Sequence, residues 1–221
     1  MSPAGTLDQK MGSSPMATAK PIVFVVDDDE WVRESLQTLI EEEGWQPETF
    51  ESAQKFLDHP RASIPNCLVL DVSLPGLNGL ELQKRMAERT EMPIIFLTGH
   101  GDIPMSVGAM KAGAVEFLTK PFDPEALSTA IRQALERSRL TLAQEVKVQE
   151  LRERYASLSR RERNVMALVV TGLLNKQIAG ELDIAESTVK AHRGQMMQKM
   201  KADSVAHLVK MVDKLGLKGS H

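Results

Sequence analysis

Ile22-Val23-Phe24-Val25-Val26-Asp27-Asp28 is the stretch on which the fold turns. Five consecutive β-branched and aromatic residues, without polar alternation, predict a strand covered on both faces, as in a parallel sheet. Working outward, Val32, Leu36, Leu39 and Ile40 recur at helical spacing and Gly44 closes that helix. Glu48-Thr49-Phe50 is a weaker strand, and Ser52 opens a short helix with Ala53, Phe56 and Leu57. Cys67-Leu68-Val69-Leu70 is a second buried strand, Pro93-Ile94-Ile95-Phe96-Leu97 a fourth strand and Val115-Glu116-Phe117-Leu118 the last. Helices are expected around Leu80, Leu82 and Met86, from Pro104 to Ala112, and from Pro124 to Arg137. Five strands alternating with five helices predict an α/β, doubly wound, five-stranded parallel domain over residues 20–137.

The remaining chain follows another rule. Residues 138–155 are charged and helix-favouring, without an a/d register over three heptads, and predict a solvated linker helix. Residues 156–221 show four helices and no strand, an all-α second domain. Residues 1–19 lack the apolar run of a secretory signal and are expected to be a disordered leader. Charge divides the same way. The net charge of −3 hides 11 Lys and Arg against 20 Asp and Glu in 20–137, and 11 against 6 in 156–221. A basic unit joined to an acidic one suggests that the second meets a polyanion. The single cysteine, Cys67, excludes an internal disulfide framework and a multi-cysteine zinc site, and a reducing, cytoplasmic setting is expected. No apolar stretch reaches the roughly 20 residues of a membrane span.

Chemistry concentrates at the strand ends. Asp27 and Asp28 follow the first strand and Asp71 the third, where open parallel sheets gather ligands. Three carboxylates repel one another unless a cation joins them, and Mg²⁺ suits such an oxygen-rich pocket. Thr98 ends the fourth strand and Lys120 follows the fifth. A hydroxyl and an ammonium around one aspartate fit in-line phosphoryl transfer, with an Asp71 oxygen as the nucleophile.

These motifs, VVDDDE, LVLDVSLPGLNG, FLTGHGD and FLTKPF, resemble the signatures of response-regulator receiver domains of two-component signalling. His100 to Phe122 is similar to the FixJ subgroup. The resemblance implies Asp71 as phosphoacceptor, with Lys120 and Thr98 in the catalytic set. It implies Asp28 and Asp71 as direct Mg²⁺ ligands, Asp27 through water, and a bond from the Ser73 carbonyl. Thr98 and Phe117 would form the switch pair.

In the second domain Ser159-Arg160-Arg161-Glu162 spells a capping box, and Val165, Met166, Leu168, Val169 and Val170 an apolar helix face. Asn175 is expected to cap a short helix containing Ile178, Ala179 and Leu182. A longer helix follows, with Val189, Met196, Met197 and Met200 on one face and Lys190, His192, Arg193, Gln195, Lys199 and Lys201 on the other. A short helix, a tight turn and a cationic helix suggest a helix-turn-helix. The segment from Ser157 to Leu215 resembles the LuxR-type DNA-binding domain, and the whole chain a FixJ/NarL-type regulator. That resemblance implies Thr188, Lys190, Ala191, His192, Arg193, Lys199 and Lys201 as DNA contacts. Lys190 is expected to read bases and Lys199 and Lys201 to meet phosphates, while Arg193 fits either class. Two positions depart from the family pattern: Ala185 stands where a serine or threonine cap is common, and Gly194 where a bulkier residue is frequent.

The expected function is therefore a phosphorylation-dependent transcriptional regulator, not an enzyme apart from self-directed phosphoryl transfer and autodephosphorylation. Its expected partners are a sensor histidine kinase, double-stranded promoter DNA, RNA polymerase and, on phosphorylation, a second copy, and activation is expected over repression. The rivals are a constitutive DNA-binding regulator with a vestigial receiver and an aspartate-based phosphatase. Against the latter, Ser73 occupies the place of the second acid that such enzymes use.

Overall fold

The structure, a computed structural model, describes residues 19–99 and 103–217. The expected leader, except for Ala19, lies outside them, as do His100, Gly101 and Asp102 of the FLTGHGD motif. The chain divides into two compact units between Leu142 and Ala143.

In the first unit the strands are β1 (Ile22–Val26), β2 (Gln46–Phe50), β3 (Asn66–Asp71), β4 (Ile94–Thr98) and β5 (Glu116–Thr119). All pair in parallel, in the order β2-β1-β3-β4-β5. Between them run α1 (Glu30–Glu42), α2 (Ala53–Leu57), α3 (Gly79–Arg85) and α4 (Ile103–Lys111), and α5 (Pro124–Ala156) follows β5. Strand side chains alternate between the two faces, and both faces are covered. Phe24, Leu70 and Phe96 pack with Phe56 of α2, Leu82 of α3 and Ala109 of α4. Val23, Val25, Val69, Ile95 and Leu97 pack on the other face with Leu36 and Ile40 of α1 and Leu127, Ile131 and Leu135 of α5. This double burial makes the central strands β1, β3 and β4 continuous apolar runs, while the edge strands β2 and β5 are only partly buried.

Gly44 and Ser52 stand at element ends as expected, and Asp29 adds an unforeseen cap. The Asp29 side chain accepts from the Trp31 and Val32 amides at the start of α1, and Gly44 sits beyond its end at φ +83°. Ser52 caps α2, accepting from the Lys55 amide.

The helix after β5 is the largest departure. The expected helix ending at Arg137 and the expected linker helix over 138–155 are one continuous helix of 33 residues, α5. Its last turns are exposed on most sides, but one face is covered: Leu151 is 6% exposed and packs, with Tyr155, in the core of the second unit. Two apolar positions among many charges hid that face from a periodicity reading. The Arg163 guanidinium lies over the Tyr155 ring, 5.2 Å from its centroid.

The second unit adds α6 (Arg160–Val170), α7 (Asn175–Leu182), α8 (Glu186–Met200) and α9 (Val205–Lys214). Val165, Met166, Ile178, Val189, Met196, Met200 and Leu208 form its centre. The capping box of α6 is complete: the Glu162 amide donates to Ser159 Oγ at 3.2 Å, and the Ser159 amide to Glu162 Oε2 at 2.7 Å. Asn175 does not cap α7. Leu174 holds the cap position, 70% exposed, and its amide donates to Gln177 Oε1 at 2.8 Å. Asn175 is the first helical residue, and its side chain turns to α8 instead. Ala185 caps α8 without a side-chain bond, as expected for alanine.

Candidate functional site

The sheet order reverses between β1 and β3, the switch point at which open α/β sheets bind ligands. The predicted carboxylates converge there. Carboxylate oxygens of Asp27, Asp28 and Asp71 lie within 4.8 Å of one another, with Asp27 and Asp71 buried and Asp28 exposed. Asp27 and Asp28 follow β1 and Asp71 ends the adjacent β3, at least 43 positions further on, and only the parallel pairing of the two strands brings them together.

Asp27 is the best anchored. Its Oδ1 accepts from the Asp29 amide at 3.0 Å and its Oδ2 from Lys120 Nζ at 2.6 Å, while Arg33 donates to its backbone carbonyl at 2.8 Å. Burial still lifts its carboxyl above the ordinary range, against the lowering effects of Lys120 and the Asp29 amide. Burial works to lower the Lys120 ammonium, yet the hydrogen bond it donates to Asp27 and the charges of both aspartates outweigh it and hold the lysine above its usual value. Lys120 lies 3.4 Å from Asp71 Oδ1, farther than from Asp27. Asp71 Oδ1 is buried and accepts no hydrogen bond, with the long Lys120 ion pair as its compensation. A buried carboxylate oxygen in that state is costly unless a ligand completes it. One ammonium among three carboxylates leaves a negative excess, so the donor set of Asp27, Asp28 and Asp71 fits a hard divalent cation and could hold one. Ser73 is exposed in the loop directly after β3.

Thr98 is fully buried at the end of β4, and its carbonyl accepts from the Lys120 amide at 2.7 Å. Phe117 pairs in register with Phe96, two residues before Thr98, so all three face the same side of the sheet. The Phe96 and Phe117 rings are 6.1 Å apart, and Phe117 is only partly buried.

Sequence reasoning missed Gly79. Its amide donates to the Val72 carbonyl at 3.1 Å, and a Cβ at this position would run into the Asp71 carbonyl oxygen. Glycine lets the start of α3 lie against the end of β3. The signal was present in LPGLNG, where Asn78 and Glu81 form the capping box of α3 around it.

On α8, Val189, Met196 and Met200 face the core, while Thr188, Lys190, Ala191, Gly194, Gln195, Lys199 and Lys201 are exposed. Lys190 pairs with Glu186 at 3.1 Å. His192 is half-buried and its Nδ1 has no hydrogen-bond partner. Lys199 is tied inward: its Nζ lies 2.9 and 2.7 Å from the two oxygens of buried Glu162. The lysine, with the Ser159 amide, holds the Glu162 carboxyl below its ordinary range. Lys201 closes the helix in the left-handed region, φ 54°.

A five-stranded sheet in this order, with three aspartates and a lysine at its switch point, defines a receiver domain, and a four-helix unit with an exposed cationic helix follows it. Residues 23–132 match the response regulator receiver domain family, and residues 156–212 the luxR family of bacterial regulatory proteins. Nodulation protein W of Bradyrhizobium diazoefficiens is 47% identical over 95% of this chain and 93% of its own length. Response regulator protein TodT of Pseudomonas putida is 46% identical over 92% and 90%. The structure of response regulator StyR superposes with a TM-score of 0.75 at 51% identity, covering 89% of this chain and all of that one. The chain belongs to the two-component response regulators that join a receiver to a LuxR-type DNA-binding domain. It is a transcriptional regulator rather than a classical enzyme. Among the described residues no helix is long and apolar enough to cross a membrane.

Proposed function

We propose that Asp71 is the phosphoacceptor of this regulator and takes its phosphoryl group from a sensor histidine kinase. The observation that carries this reading is Asp71 Oδ1, buried, accepting no hydrogen bond and facing Lys120 Nζ at 3.4 Å within the carboxylate cluster. Asp71 supplies the attacking oxygen, and Lys120 is placed to offset charge that develops on the phosphoryl oxygens. Asp27 holds Lys120 in position. Asp27, Asp28 and Asp71, with the Ser73 carbonyl, would hold Mg²⁺, which when bound neutralises phosphoryl oxygens. Thr98 meets the new phosphoryl group and Phe117, on the neighbouring strand and paired in register with Phe96, turns inward. The changed surface then pairs two receivers.

DNA binding falls to α8, with Thr188, Lys190 and Ala191 toward the bases. His192 and Lys199 are the weakest of the expected contacts, because one is half-buried and the other is held by Glu162. Promoter binding, contact with RNA polymerase, activation and a cytoplasmic location complete the reading. The intact carboxylate and lysine set counts against a vestigial receiver.

The test is labelling by acetyl phosphate with Mg²⁺. Wild type is expected to gain one phosphoryl group, Asp71→Asn none, and light scattering to show a rise from monomer to dimer mass. Label mapped to another residue of Asp71→Asn would refute the assignment.

A further inference from the structure

The cations of α8 are not equivalent. Lys190 is paired with Glu186, Lys199 with Glu162, and Lys201 lies at the exposed end of the helix. Arg193 is held in another way. Its Nη1 donates to Asn175 Oδ1 at 2.8 Å, and among the described residues no carboxylate pairs with it. We infer that Arg193 is a clamp for a DNA backbone phosphate rather than a reader of bases, and that Asn175 is its positioning residue. The inference rests on the DNA-binding reading of α8 above.

Three features carry it. A guanidinium has five N–H donors in a rigid fork, suited to two oxygens of one phosphate. The neutral amide oxygen of Asn175 orients that fork with one bond and leaves its charge uncompensated. A carboxylate in the same place would have cancelled the charge.

Position on the helix is the second feature. At roughly 100° per residue, Arg193 stands only about 40° round from Val189, at the centre of the buried stripe. The ridge opposite that stripe consists of Ser187, Ala191, Gly194 and Gln198, all exposed and uncharged. That ridge can enter a groove. A half-buried arginine tied to the neighbouring helix cannot follow it to the groove floor.

The third feature is the anchor. Asn175 is the first residue of α7, and in a helix-turn-helix the first of the two helices crosses the DNA backbone while the second enters the groove. The tether therefore holds the guanidinium where a phosphate passes. An uncharged groove-facing ridge also leaves the electrostatic part of the affinity to flanking cations such as this one.

The experiment uses the full chain treated with acetyl phosphate. It measures fluorescence anisotropy on a duplex enriched from a random pool and on random duplex, over a range of salt concentrations. Arg193→Ala is expected to weaken both complexes roughly tenfold, as for loss of one charged contact. The ratio between the two DNAs should stay at the wild-type value and the salt slope should fall by about one. Asn175→Ala is expected to weaken both DNAs alike, with no further loss when added to Arg193→Ala. Should Asn175→Ala not fold, Asn175→Asp keeps the shape and is expected to lower the slope by about one by pairing with Arg193. A changed ratio in Arg193→Ala, additive losses in the double variant, or a wild-type slope in Asn175→Asp would overturn the clamp alone. If wild type enriches no duplex and binds none, the DNA-binding reading of α8 falls, and the clamp with it.

Discussion

Replacing Gly79 by alanine would drive a Cβ into the Asp71 carbonyl oxygen, with Val72 Cα at 3.0 Å and the Asp71 carbonyl carbon at 3.2 Å. Atoms of this kind rest about 3.5 Å or more apart, so the start of α3 and the end of β3 must separate by about 1 Å. Every atom struck is backbone, and no side chain can rotate away. Overpacking of this sort costs about 1–3 kcal/mol. The strain falls on the residue that carries the nucleophile, and a displacement of about 1 Å can slow a reaction by up to about 10²-fold. Two measurements follow. Thermal unfolding of the full chain should show the transition of the first unit shifted down and that of the second unchanged. The rate of Mg²⁺-dependent labelling by acetyl phosphate should fall by at least about tenfold. Gly108→Ala in α4 is the control, since its Cβ would meet nothing within 4 Å. A Gly79→Ala variant with wild-type melting and labelling would refute the argument that this glycine exists to let α3 reach the acceptor strand.

Three further outcomes concern the second unit. Ala185→Ser supplies the missing side-chain cap at a residue whose backbone is already extended, and should stabilise the unit by about 1 kcal/mol in denaturant titration. Gly194→Ala, whose Cβ would stand in open space, should add about 1 kcal/mol by the same measurement through helix propensity. Glu162, held below the ordinary glutamate value of 4.5 by Lys199 and the Ser159 amide, contributes stability that is full above pH 4.5 and lost as pH falls through its folded-state value. Glu162→Gln should flatten that acid limb of the melting curve, and an unchanged limb would mean that another carboxylate governs it.

Much of the receiver was legible because its signals are local. A parallel sheet covered on both faces must write its strands as unbroken apolar runs, and Phe24, Leu70 and Phe96 are read that way without coordinates. The aspartates stood out because charge directly after such a run marks the ligand-binding edge. Gly79 was not legible as a site residue, since what a glycine is near does not show in its own sequence neighbourhood. Asn175 was misread for the opposite reason. Its type suits a helix cap, but Arg193 competes for the same side-chain oxygen and holds it.

The sequence by itself determined the two-part organisation, the central buried strands, the acidic strand ends, the close of α1 at Gly44 and the caps of α2 and α6. Each of these depends on contacts between residues a few positions apart, whose geometry the backbone period dictates. Only the tertiary structure decided the order of the strands, the closer attachment of Lys120 to Asp27 than to Asp71, and the continuation of α5 into the second core. It alone paired Lys199 with Glu162 and Arg193 with Asn175. Those contacts join residues 93, 37 and 18 positions apart. No local period reaches that far, so burial and chain closure choose among partners that the sequence leaves equivalent.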